Sequence, residues 1–180
     1  MLLASLTAAV VLAVSSALAQ TCSPQLTVGA PYDIKSHIDD SYIWLFNGAS
    51  DSNPSGVHLE QIPPGLEPWY FYSTSSGSWT ISINQIDPPV NCVLAPSDSQ
   101  GDVLKLLTTG SCSDSTDADM IISCQSCGDD GSATACTLFV PGHDECVNVP
   151  GDSNGDPSVR TLECTGSPEQ LWDLVPVSDE

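Results

Sequence analysis

The chain reads as an all-β fold of three similar units, each of about 50 residues, set around a pseudo-threefold axis. Three observations predict this. The polar stretch "APSDSQGD" (95–102) returns as "VPGDSNGD" (149–156), matching Pro96/Pro150, Asp98/Asp152, Ser99/Ser153, Gly101/Gly155 and Asp102/Asp156 at a constant offset of 54 residues. A third copy, "ASDSNPSG" (49–56), aligns Asp51-Ser52-Asn53 with the other two. At the far end of each unit, Trp69, Met120 and Trp172 are spaced 51 and 52 residues apart, with Gln61, Cys112 and Cys164 eight residues before them. Between these marks lie short β-type runs broken by Gly, Pro, Asp and Ser, with no helical period.

The elements follow in chain order. Residues 1–19 form an apolar run ending in Ala17-Leu18-Ala19, which is expected to be a cleaved signal peptide, with a membrane anchor as the alternative. The remaining 20–180 is the length of one domain, with units at approximately 32–78, 79–127 and 136–177. "YDIKS", "WTISI" and "CTLFV" are the expected opening strands of the three units. Stacked repeats of this size bury one core that no single unit can bury alone, so Trp69, Met120 and Trp172 are expected as equivalent core residues. In "WYFY" (69–72), alternation places Trp69 and Phe71 inside and Tyr70 and Tyr72 outside, over the barrel edge or against a ligand; Trp44 carries the same ambiguity.

All eight cysteines follow the apolar run, and an even number in an oxidising compartment reads as disulfides, hence a secreted, extracellular protein. Counting back six residues from each repeated Asp gives Leu45, Cys92 and Cys146. Units two and three thus hold Cys at both aligned positions, whereas unit one has Leu45 and Gln61. Residues that come and go as a couple are bonded as a couple, so Cys92–Cys112 and Cys146–Cys164 are expected, each worth about 3 kcal/mol by loop entropy. Cys22, Cys124, Cys127 and Cys136 retain three connectivities. Three basic residues face 23 acidic ones, and a net charge of −20 makes nucleic acid and anionic membranes poor partners.

Cys146 to Val175 is similar to one repeat of the ricin B-type lectins, the family 13 carbohydrate-binding modules. Cys-x-x-Val at its start, Asn154-Gly155, Val159 five residues before Cys164, and Gln170-Leu171-Trp172 as the Q-x-W signature carry the likeness. Ala118-Asp119-Met120 and Glu67-Pro68-Trp69 stand in place of Q-x-W in the other units. The resemblance implies a β-trefoil over almost all of 20–180 and a partner that is a glycan or polysaccharide. Sites of this family use an acidic residue two after the first Cys, an aromatic ring two before the second, and Asn before Q-x-W. Here those positions hold Asn148, Leu94 and Asn47; then Leu162, Gly110 and Leu59; then Glu169, Asp117 and Leu66. The three sites are therefore degenerate. Unit three keeps the most hydrogen-bonding capacity, in Asn148, Asn154, Arg160 and Glu169.

Other motifs read as turns. "GDSNG" (151–155) imitates a nucleophile elbow but lacks the strand–turn–helix context that exposes the serine. Asp152, Asn154, Asp156 and Glu163 imitate a calcium loop, with Pro157 where a sharp turn requires Gly. "GHDE" (142–145) reads as a solvated turn around His143. The reading is thus a lectin-like binding module, not an enzyme, with no cofactor and no metal. The alternative is a protein-binding trefoil such as a protease inhibitor or a host-interaction protein.

Overall fold

The computed structural model describes residues 21–47, 56–61, 68–95, 105–106, 108–112, 116–149 and 159–178. The expected signal peptide and nearly all of the three recurring polar loops, Asn154 included, lie outside them. In β1 (Pro31–Ser36) the alternation is realised residue by residue: Tyr32, Ile34 and Ser36 are buried, and Pro31, Asp33 and Lys35 are half-buried. The other strands are β2 (Tyr42–Asn47), β3 (Gly56–Gln61), β4 (Trp69–Ser73), β5 (Trp79–Ser82), β6 (Asn91–Leu94), β7 (Lys105–Leu106), β8 (Thr108–Ser111), β9 (Ile121–Cys127), β10 (Ala133–Val140), β11 (Glu145–Asn148), β12 (Arg160–Glu163) and β13 (Trp172–Pro176). Helical structure among the described residues is limited to two 3₁₀ turns, Thr116–Ala118 and Pro168–Gln170.

Six strands close into a barrel. β1 pairs with β13 and β4, β4 with β5, β9 with β10, and β10 with β13. Trp79 and Met120 close the last seam by exchanging backbone hydrogen bonds of 2.7 and 2.8 Å. Three hairpins, β2–β3, β6–β8 and β11–β12, cover one end. They meet edge to edge through Gly56 with Thr108, Leu106 with Arg160, and the Val159 N–H on the Val57 carbonyl at 2.8 Å. Each sheet edge in the cap is thereby paired with a neighbouring unit, which leaves few free backbone groups. This is a β-trefoil.

Trp44 occupies the space between cap and barrel. It is fully buried and lies edge-on to Trp69 (centroids 5.8 Å apart, 87°) and to Trp172 (5.2 Å, 82°). Met120 is the third residue buried at the equivalent level. "WYFY" is more buried than alternation predicts, because Tyr72 is also inside, donating its hydroxyl to the Asn84 carbonyl at 3.2 Å. A tyrosine beside a long neighbouring loop finds cover on the face that would otherwise be open.

The structure also corrects the alignment of unit one. Trp69 Nε1 donates to the Trp44 carbonyl at 2.9 Å, and Trp172 Nε1 donates to the Val147 carbonyl at 3.0 Å. Trp44 is therefore the counterpart of Val147, and Ile43, not Leu45, that of Cys146. Strand registers agree: Ile43 faces Glu60, Cys92 faces Gly110, and Cys146 faces Leu162. Counting from the repeated Asp fails by two residues because a surface loop accepts an insertion, whereas the strand is held in place by the buried Trp44 and its contacts with Trp69 and Trp172.

Cys92–Cys112 and Cys146–Cys164 are bonded, and the other four cysteines pair as Cys22–Cys127 and Cys124–Cys136. Cys22 also makes a β-bridge to Cys124, so the N-terminal segment is tied to β9 by backbone and side chain together. Cys136 follows a bulge in which Ala135 adopts φ 49°, and the freed Ala135 N–H is taken by Asp173 Oδ1 at 2.8 Å. The same carboxylate oxygen lies 2.9 Å from His37 Nδ1.

Trp44 Nε1 and Thr161 Oγ1 are buried without a hydrogen-bond partner among the described residues. Such groups cost about 1–3 kcal/mol each. Trp44→Ala should therefore cost about 3–5 kcal/mol, and Trp44→Phe distinctly less, since it keeps a ring and removes the unmet N–H. Thr161→Val should leave stability unchanged or raise it. Urea unfolding monitored by circular dichroism checks all three; a Phe variant as unstable as the Ala variant would refute the wedge role.

Candidate functional site

Within β11 and β12 the pleat sorts the residues. Val147 and Thr161 oppose each other and are buried toward the core. Asn148 faces Arg160 and Cys146 faces Leu162 on the outer side. The structure thus brings together two sequence-selected residues, Asn148 and Arg160, across one strand pair. The third, Glu169, sits on the 3₁₀ turn Pro168–Gln170 and is joined to the hairpin because the Val149 N–H donates to its carbonyl at 2.7 Å. Asn154 belongs to the undescribed loop.

The three differ in exposure. Asn148 and Arg160 are buried, and Asn148 Nδ2 donates to the Val149 carbonyl. Glu169 is exposed. A hydrogen bond from its own backbone N–H and one from the Ser167 side chain hold its carboxyl below the ordinary 4.5, so it stays ionised into mildly acidic solution. Leu162, where the resembled family places a ring, is 39% exposed and gives the site a small apolar face.

Gln170 of Q-x-W holds this corner together. Its Oε1 accepts from the N–H groups of Thr165 (2.8 Å) and Gly166 (3.1 Å) and from the Thr165 hydroxyl (3.2 Å), while Nε2 donates to the Glu163 carbonyl (2.7 Å). A buried amide bonded through both its oxygen and its nitrogen fixes the turn that carries Glu169. The glutamine is thus a clamp on the loop between β12 and β13. Trp172 supplies the core anchor next to it.

The other units lack this arrangement. In unit two the position preceding the signature is Asp117, whose Oδ1 lies 3.2 Å from His143 Nε2. The same nitrogen lies 3.0 Å from the Ala95 carbonyl, so between two acceptors it must carry a hydrogen. The His143 side chain is 8% exposed, which corrects the solvated-turn reading of "GHDE": it joins units two and three. No local signal announces this, since its partners lie 48 and 26 residues away. In unit one the corrected register puts Leu45 and Glu60 at the positions of Asn148 and Leu162. Among the described residues no cluster of three His, Cys, Asp or Glu side chains is placed to hold a metal ion.

No protein-family model matches the chain, and no curated protein matches it. Solved structures do. The designed threefold-symmetric protein ThreeFoil superposes with a TM-score of 0.61 at 16% identity, over 81% of this chain and 98% of that one. A BEL β-trefoil gives 0.59 at 14% identity, over 86% and 98%. The C-terminal domain of an earthworm lectin, a mutant in complex with 6'-sialyllactose, gives 0.53 at 14% identity, over 82% and 99%. At such identities the likeness is one of fold.

If Gln170 is the clamp, Gln170→Ala should cost about 2–3 kcal/mol by removing a buried amide and its bonds to the Glu163, Thr165 and Gly166 backbone. Gln170→Glu should also destabilise, because Nε2 is the donor to the Glu163 carbonyl. Thermal unfolding measures the cost, and amide exchange at Thr165 and Gly166 should accelerate; unchanged protection there would exclude the clamp.

Proposed function

We propose that the chain is an extracellular carbohydrate-binding β-trefoil without catalytic activity, and that its site is the outer face of the β11–β12 hairpin. The observation that carries this reading is the convergence of Asn148, Arg160 and Glu169 at one end of that hairpin, fixed by the Asn148–Arg160 register and the Val149–Glu169 hydrogen bond. Sugar recognition needs an oriented carboxylate or amide for hydroxyl pairs and an apolar surface for the ring face. Glu169 supplies the carboxylate and Leu162 the apolar surface, while Asn148 and Arg160 form the floor. Asn154 is the fourth residue assigned to the site in this reading. Four disulfides suit an oxidising compartment and support the proposed signal peptide at 1–19.

Binding of the oxidised protein to a glycan array and to insoluble polysaccharides tests the proposal. Glu169→Ala should weaken binding about tenfold, consistent with loss of charge-assisted hydrogen bonds. Because the Glu169 carboxyl is depressed below 4.5, binding should persist from neutral pH to that value and fall only beneath it. Absence of any glycan binding, or affinity indifferent to Glu169→Ala, would sink this assignment.

A further inference from the structure

The threefold pattern is broken most clearly beside unit two. The loop from the first to the second strand of each unit spans 37–41 in unit one and 141–144 in unit three, but 83–90 in unit two. This longer loop and the N-terminal segment, which has no counterpart in the repeats, are two walls of a groove of about 580 Å³. The ends of β4 and β8 complete it. That volume lies in the range of small-molecule sites, roughly 300–1,000 Å³.

The walls are held in place. Gln85 Nε2 donates to the Gly29 carbonyl at 3.0 Å, joining the loop to the N-terminal segment, and the Gly29 N–H donates to the Phe71 carbonyl at 3.0 Å. Gly29 has φ 71°, and a Cβ there would already touch the Tyr72 ring, so the segment lies directly on that tyrosine. The base of the loop is closed by the buried Ser82 hydroxyl donating to the Asn91 carbonyl at 2.8 Å and by Asn91 Nδ2 donating to Asn84 Oδ1 at 3.1 Å.

The lining has a definite chemistry. Val28 and Val90 are 51% and 50% exposed, two of the chain's more exposed large apolar residues, and Pro88 and Pro89 extend this surface. The polar part carries the hydroxyls of Ser73, Thr74, Thr80 and Ser111 and one charged group, the Asp87 carboxylate. The prolines contribute carbonyls without N–H groups, and the Tyr72 hydroxyl spends its hydrogen on Asn84. Among the described side chains, neither Lys35 nor Arg160 lines the groove. Burial raises the Tyr72 hydroxyl above its usual value of 10, and the Asp87 charge adds to this.

We infer that this groove is a second ligand site, taking a small organic cation: an apolar body between Val28, Val90 and the prolines, with an ammonium or amidinium group on Asp87. An ammonium supplies only donors, which the Asp87 carboxylate and the neighbouring hydroxyl oxygens can accept, and a net charge of −20 draws cations toward the molecule. The site is separate from the β11–β12 face and stands or falls independently of glycan binding.

The test is a titration of the ¹⁵N-labelled, oxidised full chain with 4-phenylbutylamine, 4-phenylbutanol and 4-phenylbutyrate, at about 0.15 M salt to screen diffuse attraction. The amine should shift the amides of Val28, Tyr72, Asp87 and Val90 and bind about fivefold tighter than the alcohol, with the carboxylate weakest. Asp87→Asn should erase the preference for amine over alcohol. Asp144→Asn, an equal charge change at a position of φ 56° where Asn is tolerated, should leave it intact. Val90→Asn should weaken amine and alcohol alike. Equal affinity for amine and alcohol, equal losses in the Asp87 and Asp144 variants, or shifts scattered over the acidic surface would each overturn the site.

Discussion

Everything in this molecule depends on the meeting of three indole rings where cap and barrel join. Trp44 comes from the cap, Trp69 and Trp172 from the barrel, and the edge-on geometry places the positive ring edge of one against the negative face of another. The N–H groups of Trp69 and Trp172 bond carbonyls of the cap strands, Trp44 in unit one and Val147 in unit three. Hydrophobic burial is non-directional, but these two hydrogen bonds set the height and rotation of the β2–β3 and β11–β12 hairpins over the barrel. A hairpin alone is marginal in water, so the cap strands owe their order to this contact and to the edge pairings between units.

Ion pairs do little of the holding. The chain has three Lys and Arg residues against 23 Asp and Glu, so most carboxylates have no cation to meet. The ion pairs described involve histidine: His37 with Asp173, and His143 with Asp117. Carboxylates instead cap backbone N–H groups. Asp39 bonds Ser41, Asp130 bonds Ser132, and Asp173 bonds the bulged Ala135. Both exposed capping aspartates, Asp39 and Asp130, are held below their ordinary range, first by the serine hydroxyl and then by its N–H. Four disulfides reduce the entropy of the unfolded chain and offset the self-repulsion of so many negative charges.

Symmetry and its failures divide the labour. Among the described residues, the equivalent positions Trp69, Met120 and Trp172 are buried and serve the barrel. Where the units disagree, polar groups gather. Unit two commits Asp117 to His143 and lengthens the loop at 83–90, whereas unit three keeps a turn clamped by Gln170 with Glu169 exposed on it. A scaffold whose stability lies in its core tolerates such divergence in its connections, which is why the candidate sites fall on loops and hairpin faces.

What the sequence determined by itself was what repeats. The offset of 54 residues between the polar loops, the spacing of Trp69, Met120 and Trp172, and the paired cysteines 92/112 and 146/164 were legible because equivalent environments demand equivalent residues. The register of unit one was not, since an insertion in a surface loop shifts the count without moving Ile43 or Trp44 inside. Nor was the burial of Tyr72, the seat of His143, or the pairing of Cys22 with Cys127 and Cys124 with Cys136. Cys22–Cys127 and the His143 contacts join residues 105, 48 and 26 positions apart, and none of the four falls at positions that repeat in the sequence. Local pattern reports a residue's own strand face; which distant groups the closed barrel brings to that face is decided only when all three units pack together.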